Sequence, residues 1–287
     1  WGLEDLEEYD YVLIMGSLAH KYIDSGLKFN QAKGCIIKNK FYVTMTEGEA
    51  RARGSKKLPI LKEHIKTFTK LTEGKDIHNK VDHIIVMTAE DLEAMWFDII
   101  RSRAVAIDTE TSGLDPFIPD KFMASIGIAT KNNAWTLPLD HTESPHKGKH
   151  KWQTRVIKKL AKFISNKEII GHNGKFDTLW IYNCYGVWID FTFDTMLAHY
   201  NLDENSPHGL KFLSAQYLGV DIYDIPDIEK NGYGDLKSHC AYLAQDIRYT
   251  YDLWRKFTVE LDKDPLSRRI FENIIHAFLY NTIQFIC

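Results

Sequence analysis

The sequence predicts an α/β fold: a mixed sheet flanked by helices, preceded by a smaller α/β module. Apolar runs of strand length alternate with longer stretches of helical period. From residue 84 onward strands come first and helices follow, the order of a sheet that helices then cover. Between the two regions lies KLTEGKDIHNKVDH, residues 70–83, a polar and charged stretch that reads as a linker.

In the first region, residues 1–75, YDYVLIMG is an apolar strand ending at Gly16, and SLAHKYIDSG a short helix closed by Gly26. GCIIKNKFYVTM reads as a hairpin. KKLPILKEHIKTFTKL is an amphipathic helix with Leu61, Ile65 and Phe68 at helical spacing. The second region, 84–262, opens with the strand HIIVM and the helix TAEDLEAMWFDIIRS. Thr88 is placed to cap that helix and Asp91 to complete a capping box. AVAIDTET, MASIGIAT and AWTLPL are strands. WQTRVIKKLAKFI is a helix with Trp152, Val156, Leu160 and Phe163 on one face. EIIGHN is a strand entering the helix GKFDTLWIYNCYG. DTMLAHYNL and GLKFLSAQYLG are helical, the latter ending at Gly219. A long helix follows from Ser238 to Leu261, with Cys240, Ala244, Ile247, Tyr251 and Trp254 as its buried stripe. Residues 263–287 form a further helical segment.

At 287 residues and 44% hydrophobic content the chain can bury a real core, and its formal charge of −3 gives no global nucleic-acid signature. A local basic patch can still be hidden by acids elsewhere. Cys35, Cys184, Cys240 and Cys287 have no paired spacing, which argues against a zinc site or a secreted disulfide scaffold and for a reducing cytoplasm. No run approaches the ~18 apolar residues of a membrane span. No signal peptide precedes Trp1, which does not read as a native start.

The chemistry centres on carboxylates. Asp108 and Glu110 stand at the end of an apolar strand, and residues i and i+2 of a strand share a face. Their repulsion needs an offset, which a divalent cation supplies. In HNGKFD, Asn173 and Asp177 are four apart at a helix start and so share a face. In YLAQD, Tyr242 and Asp246 are likewise four apart, with Asp246 beside the apolar stripe, a costly place for an unpaired acid. Oxygen ligands without a thiol or histidine cluster suit Mg²⁺ or Mn²⁺. Four carboxylates can hold two ions ~3.5–4 Å apart, the geometry of in-line phosphoryl displacement. A lone D-x-E is common in proteins. Three such motifs in this order and context are not. His172 reads as a supporting or surface residue. His141, His146 and His150 read as solvated, and the lysines of HKGKHKWQTRVIKK as an exposed helix face, with a phosphate-contacting role as the lesser alternative.

DTETSGLD, HNGKFD and YLAQD match, in order, the three motifs of the DEDDy 3′→5′ exonucleases. The region from about 84 to 261 resembles that domain, and is most similar to the proofreading domain of bacterial and phage family A DNA polymerases. The resemblance implies a ribonuclease-H-like fold. It also implies metal ligation by Asp108, Glu110 and Asp246, a second ion held by Asp177 through water, and Tyr242 against the attacking water. Substrate contacts would fall to Thr109, Leu114, Asn173 and Tyr223, with Leu114 wedged against the terminal base. The implied substrate is single-stranded DNA or a frayed DNA 3′ end. A ribonuclease-D-like RNA-trimming enzyme shares the motifs and stays open, as does an interaction subunit that holds a polymerase and has incidental nuclease activity.

The first region faintly resembles the C-terminal half of the uracil-DNA glycosylase superfamily. TEGEARA, at the place of that family's catalytic His-Pro-Ser-like loop, has no histidine and no proline, so a degenerate docking module or an unrelated α/β fragment is expected. The terminal stretch PLSRRIFENIIHAFLYNTIQFIC resembles the helix leading into a family A polymerase domain. Ile270, Ile274, Phe278 and Ile283 fall near one helical face, flanked by Ile275, Leu279 and Ile286. No polymerase motif is present. A separate or missing polymerase-domain polypeptide is the expected partner, a membrane is not, and the expected place is the cytoplasm, the host's if the chain is phage-encoded.

Overall fold

The computed structural model describes Leu6, residues 8–23, Phe29, Lys33, and residues 36–37, 40–52, 57–74, 81–220, Tyr223 and 230–277. The chain groups into two compact units, Trp1–Asn79 with Asn205–Asp227, and Lys80–Glu204 with Ile228–Cys287. Gly26, Cys35, Phe278, Leu279, Ile283, Ile286 and Cys287 lie outside the described residues.

In the first unit, strand β1 (Val12–Met15) leads into helix α1 (Gly16–His20). Strands β2 (Ile36–Ile37) and β3 (Phe41–Thr44) pair antiparallel, as the hairpin reading expects. β1 pairs parallel to β3, giving the order β1-β3-β2. TEGEARA holds the short helix α2 (Glu47–Arg51), capped by the Thr46 side chain. Helix α3 (Leu58–Thr72) buries Leu61, His64, Thr67 and Leu71, while Ile65 is 42% exposed. The expected Leu61–Ile65–Phe68 stripe is therefore rotated. His64 takes the inward place because its Nδ1 meets the hydroxyl of buried Thr44 at 2.8 Å, and its ring meets the Tyr42 edge. A paired polar group can be buried where an unpaired one cannot. Helix α8 (Leu210–Leu213) continues as a wider turn over Ser214–Leu218 and stops at Gly219, whose φ of 72° ends a helix in the left-handed region.

The second unit is a six-stranded sheet in the order β4-β7-β6-β5-β8-β9. Its strands are β4 (Ile84–Ile85), β5 (Ala104–Thr111), β6 (Met123–Ala129), β7 (Ala134–Pro138), β8 (Glu168–Gly171) and β9 (Phe193–Asp194). β6 alone runs against its neighbours β5 and β7, and the other pairings are parallel. Helix α4 (Ala89–Arg101) begins with the expected capping box of Thr88 and Asp91. It packs with α5 (His150–Ile164) and α6 (Lys175–Tyr185) on Val105, Ile107, Ile126 and Ile128. Helix α7 (Thr195–Leu202) follows β9.

The opposite sheet face carries the long helix α9 (Leu236–Asp262). The alternation in MASIGIA makes this possible. Ile126 and Ile128 fill one face, leaving the small residues Ser125, Gly127 and Ala129 on the other. Gly127 is the closest point: a Cβ there would lie 2.8 Å from Ile247 and 2.9 Å from Leu243, both on α9. Ile247 and Leu243 are fully buried, so neither has room to withdraw. Helix α10 (Pro265–Ile270) and a wider turn over Phe271–His276 close the described chain. Phe271 is buried against Phe193, ring centroids 4.9 Å apart, whereas Leu266 and Ile274 are exposed. Among the described residues, no helix is long and apolar enough to cross a membrane.

Gly127→Ala therefore tests the approach of α9. Overpacking is expected to cost about 1–3 kcal/mol, read as a lower urea midpoint at unchanged m. An unchanged midpoint would show that α9 does not press on β6 at this residue.

Candidate functional site

Asp108 and Glu110 are half-buried, and their strand neighbours Ile107, Thr109 and Thr111 are buried. The strand alternation turns both acids toward α9, as expected. In register they face Gly127 and Ser125 of β6. The close approach at Gly127 brings Asp246 of α9 into the same space. One carboxylate oxygen from each of Asp108, Glu110 and Asp246 lies within 4.8 Å of the others. Tyr242, one turn before Asp246, is buried, with the Lys230 ammonium 5.3 Å from its ring centroid.

Asp177 is not in that group of three, but it is tied to it. The hydroxyl of Thr109, the residue between the two strand acids, donates to Asp177 Oδ1 at 2.6 Å. Burial pushes the Asp177 carboxyl up to about 7, against the lowering effect of its hydrogen bonds to Thr109. The nearby Asp194 charge adds to the rise.

Asn173 departs from the expected arrangement. Helix α6 starts at Lys175, so Asn173 precedes it and does not share a helical face with Asp177. Its backbone is left-handed, φ 63°. The cause is Asp194, which is fully buried and accepts from the Asn173 amide at 3.1 Å and the Gly174 amide at 2.9 Å. The same carboxylate accepts from the Met196 and Leu197 amides at the start of α7. Asp194 thus joins the starts of two helices. Its only signal in the sequence is that of an ordinary helix N-cap ahead of TML.

Leu114 is 88% exposed on the loop after β5, and Phe117 and Ile118 are exposed beside it in sequence. The loop is held by Thr111 Oγ1 donating to Gly113 O and by Asn183 Nδ2 donating to Pro116 O, both at 2.7 Å. The motifs single out only Leu114. Apolar residues in a turn stretch between two strands are the signal that could have found the other two. Tyr223 belongs to the first unit, where it is buried with the Lys211 ammonium 5.3 Å from its ring.

The histidines divide. His172 Nδ1 meets Thr195 Oγ1 at 2.9 Å, a supporting contact. His146 and His150 stack on Trp152 and Tyr185. His141, expected in solvent, is fully buried. Its ring lies 4.7 Å from that of buried His239, and its Nδ1 accepts from the Glu143 amide. His239 Nε2 in turn meets the hydroxyl of Ser125, the cross-strand partner of Glu110, at 2.6 Å. Glu143 accepts from the Leu236 amide at 2.9 Å, at the first turn of α9. The loop after β7 is thus the seat of the helix that carries Tyr242 and Asp246. Burial lowers the His141 pKa, opposed by the Glu143 charge.

Residues 83–262 match the family described as 3′-5′ exonuclease. DNA polymerase I of Borreliella burgdorferi is 31% identical over 196 residues, covering 65% of this chain and 21% of that protein. A DNA polymerase of Bacillus phage SP01 is 23% identical and covers 99% of this chain and 35% of its own length. The chain thus spans between about a fifth and a third of these relatives. Among solved structures, Brucella melitensis NrnC with bound Mg²⁺ aligns at TM-score 0.51 and 21% identity, over 66% of this chain and 87% of that one. The catalytic core of RRP6 from Trypanosoma brucei aligns at TM-score 0.54 and 17% identity, over 76% and 60%. These likenesses show the ribonuclease-H-like fold.

The Asp177 carboxyl carries a pH signature. Its folded pKa, about 7, lies above the ordinary value of 3.8. The metal-free folded state holds the extra proton between those values, so stability from this group is full below about pH 4 and is lost as pH rises through 7. Chemical unfolding in EDTA should show the wild type losing stability relative to Asp177→Asn across that window. The limiting slope for one proton is about 1.4 kcal/mol per pH unit. Parallel curves for the two proteins would place Asp177 in contact with water.

Proposed function

The chain belongs to the 3′-5′ exonuclease family of the family A DNA polymerases, and from that premise we propose that it hydrolyses single-stranded or frayed DNA 3′ ends to nucleoside monophosphates, in proofreading. The observation that carries the reading is the convergence of Asp108, Glu110 and Asp246 from a strand and a remote helix.

The donor set fits hard divalent cations, Mg²⁺ or Mn²⁺: all three groups offer carboxylate oxygen, and their separation allows one ion to touch each. Asp108, Glu110 and Asp246 would hold one ion, and Asp177 would hold a second through water. Bound there, the ions supply Lewis-acid activation of water and charge stabilisation of the leaving oxygen. The protein's own residues do the rest. Tyr242 offers its hydroxyl to the attacking water and fixes its line of approach. The Thr109 hydroxyl holds the Asp177 carboxylate in place. Asn173 sits on the anchored turn at the amino-terminal end of α6 and faces the strand to be cut. Leu114 meets the terminal base from its exposed loop. Water oxygen bonds to phosphorus as the bond to the 3′ oxygen breaks, and the departing strand leaves with a 3′ hydroxyl.

The polymerase relatives support a polymerase domain as the working partner. Exposed Leu266 and Ile274, on the segment from 265 onward, are the contacts proposed for it. The first region, with Glu47 and Glu49 in place of a histidine loop, is proposed to be a structural or docking module without glycosylase chemistry.

Asp108→Ala and Asp246→Ala should each abolish Mg²⁺-dependent release of mononucleotides from matched 3′-labelled DNA and RNA oligonucleotides, with circular dichroism unchanged. Near-wild-type activity in either variant would refute the metal assignment, and preferred cleavage of RNA would replace the DNA substrate.

Tyr242→Phe separates orientation from ligation. Metal affinity measured by calorimetry should persist while kcat falls by about 10²–10⁴. Equal affinity at an undiminished rate would remove Tyr242 from the mechanism.

A further inference from the structure

The second unit carries another feature, a cavity of about 660 Å³ at the amino-terminal ends of α4 and α5. Lys149, Lys151 and Arg155 line it, with Leu92, His146 and Trp152, and no carboxylate does. The charge is concentrated in sequence as well: no acid occurs from Pro145 to Lys167. Among the described residues Lys149, Lys151 and Arg155 have no carboxylate partner. The amino-terminal turn of α5 has no side-chain cap, so its partial positive charge adds to that of the side chains. The His146 and Trp152 rings stack at 4.1 Å and 16°, forming one flat wall. The lysines expected on a solvated helix face are in part gathered around a hollow.

Its place in the fold matters more than its charge. β4 and β7 run parallel, and both run in the direction of β5, since β6 is antiparallel to β7 and to β5. The cavity follows the carboxyl ends of β4 and β7, and Glu110 is near the carboxyl end of β5. Both therefore open at one edge of the sheet. β7 and β4 are two and three strands from β5, about 10–15 Å measured across the sheet at ordinary strand spacing, with the cavity in the α4–α5 layer and the acids on the α9 face, so a nucleic-acid strand joining them passes around the sheet edge. The distance across the sheet is the span of a few nucleotides.

We propose that this cavity binds a backbone phosphate of the nucleic-acid strand whose 3′ end lies at the acidic site, and so sets affinity for long substrates. The inference rests on the nuclease reading for the identity of the strand. A phosphate is the anion that a nucleic acid presents along its whole length, and basic side chains held without acids are what recognise it.

The test compares wild type with K149Q/K151Q/R155Q, and with the charge-preserving K149R/K151R/R155K. Two readouts are needed: hydrolysis of a dinucleotide and of a long 3′-labelled single strand in Mg²⁺, and fluorescence anisotropy of the same long strand in EDTA. The glutamine variant should keep the dinucleotide kcat/KM and raise KM for the long strand about tenfold or more. The slope of log affinity against log salt should fall by about 1 for each phosphate that is no longer neutralised. The charge-preserving variant should behave as wild type. An unchanged long-strand KM, anisotropy and salt slope in the glutamine variant overturns the proposal. Equal loss on dinucleotide and long strand also overturns it, because the cavity would then serve the fold or the acidic site. A wild type that hydrolyses neither substrate refutes the nuclease reading instead, and the anisotropy arm still decides whether the cavity binds the strand.

Discussion

The acidic site depends on one close approach, that of α9 to the sheet over Gly127. The cross-strand partner of Asp108 has no side chain, and Leu243 and Ile247 occupy the space that a Cβ would take. Asp246 stands between those two contacts along the helix. Its carboxylate reaches Asp108 and Glu110 because its neighbours are pressed onto a glycine. Helix and strand are each held rigidly by the burial of their apolar faces, so the three acids cannot relax apart at small cost. Like charges at this separation repel one another. A hard cation relieves that strain, which makes the packing of the core and the chemistry of the site a single problem.

A second constraint runs through Asp194. A fully buried carboxylate with four amide donors ties the turn before α6 to the start of α7. The left-handed Asn173 follows from it, because both amides of the turn must point inward at once. Asp177 inherits its position from that turn and from the Thr109 hydroxyl. The Asp177 carboxyl is thereby held in a dry place beside a strand whose two acids face the other way. The loop after β7 plays the matching part for α9, with Glu143 on its first turn and buried His141 against His239.

The direction of the strands gathers these parts. With β6 alone reversed, the carboxyl ends of β4, β5, β7, β8 and β9 share an edge. α/β sheets place their ligand sites outside such ends. Along this edge lie the two strand acids, the start of α6 with Asp177, the exposed loop of Leu114, Phe117 and Ile118, and the basic cavity at α4 and α5.

Whatever depends on neighbours in the chain was legible in the amino acids alone. The strand AVAIDTET, the capping box of Thr88 and Asp91, and the long helix near 238–261 follow from local period and capping chemistry. Two acids on one strand face, and a tyrosine one turn from an acid, follow from the same geometry. The order of the three motifs pointed to the family. Which of these remote faces meet was settled by folding. Nothing in YLAQD says that Asp246 lies over Asp108, and nothing in MASIGIA says that Gly127 is where the helix presses. The inward turn of His64, the burial of His141 and the left-handed Asn173 were likewise hidden. Each depends on a partner far along the chain, Thr44, His239 and Asp194 in turn. Periodicity encodes which side of an element is apolar, whereas burial of a polar side chain is decided by a hydrogen-bond partner that only folding supplies.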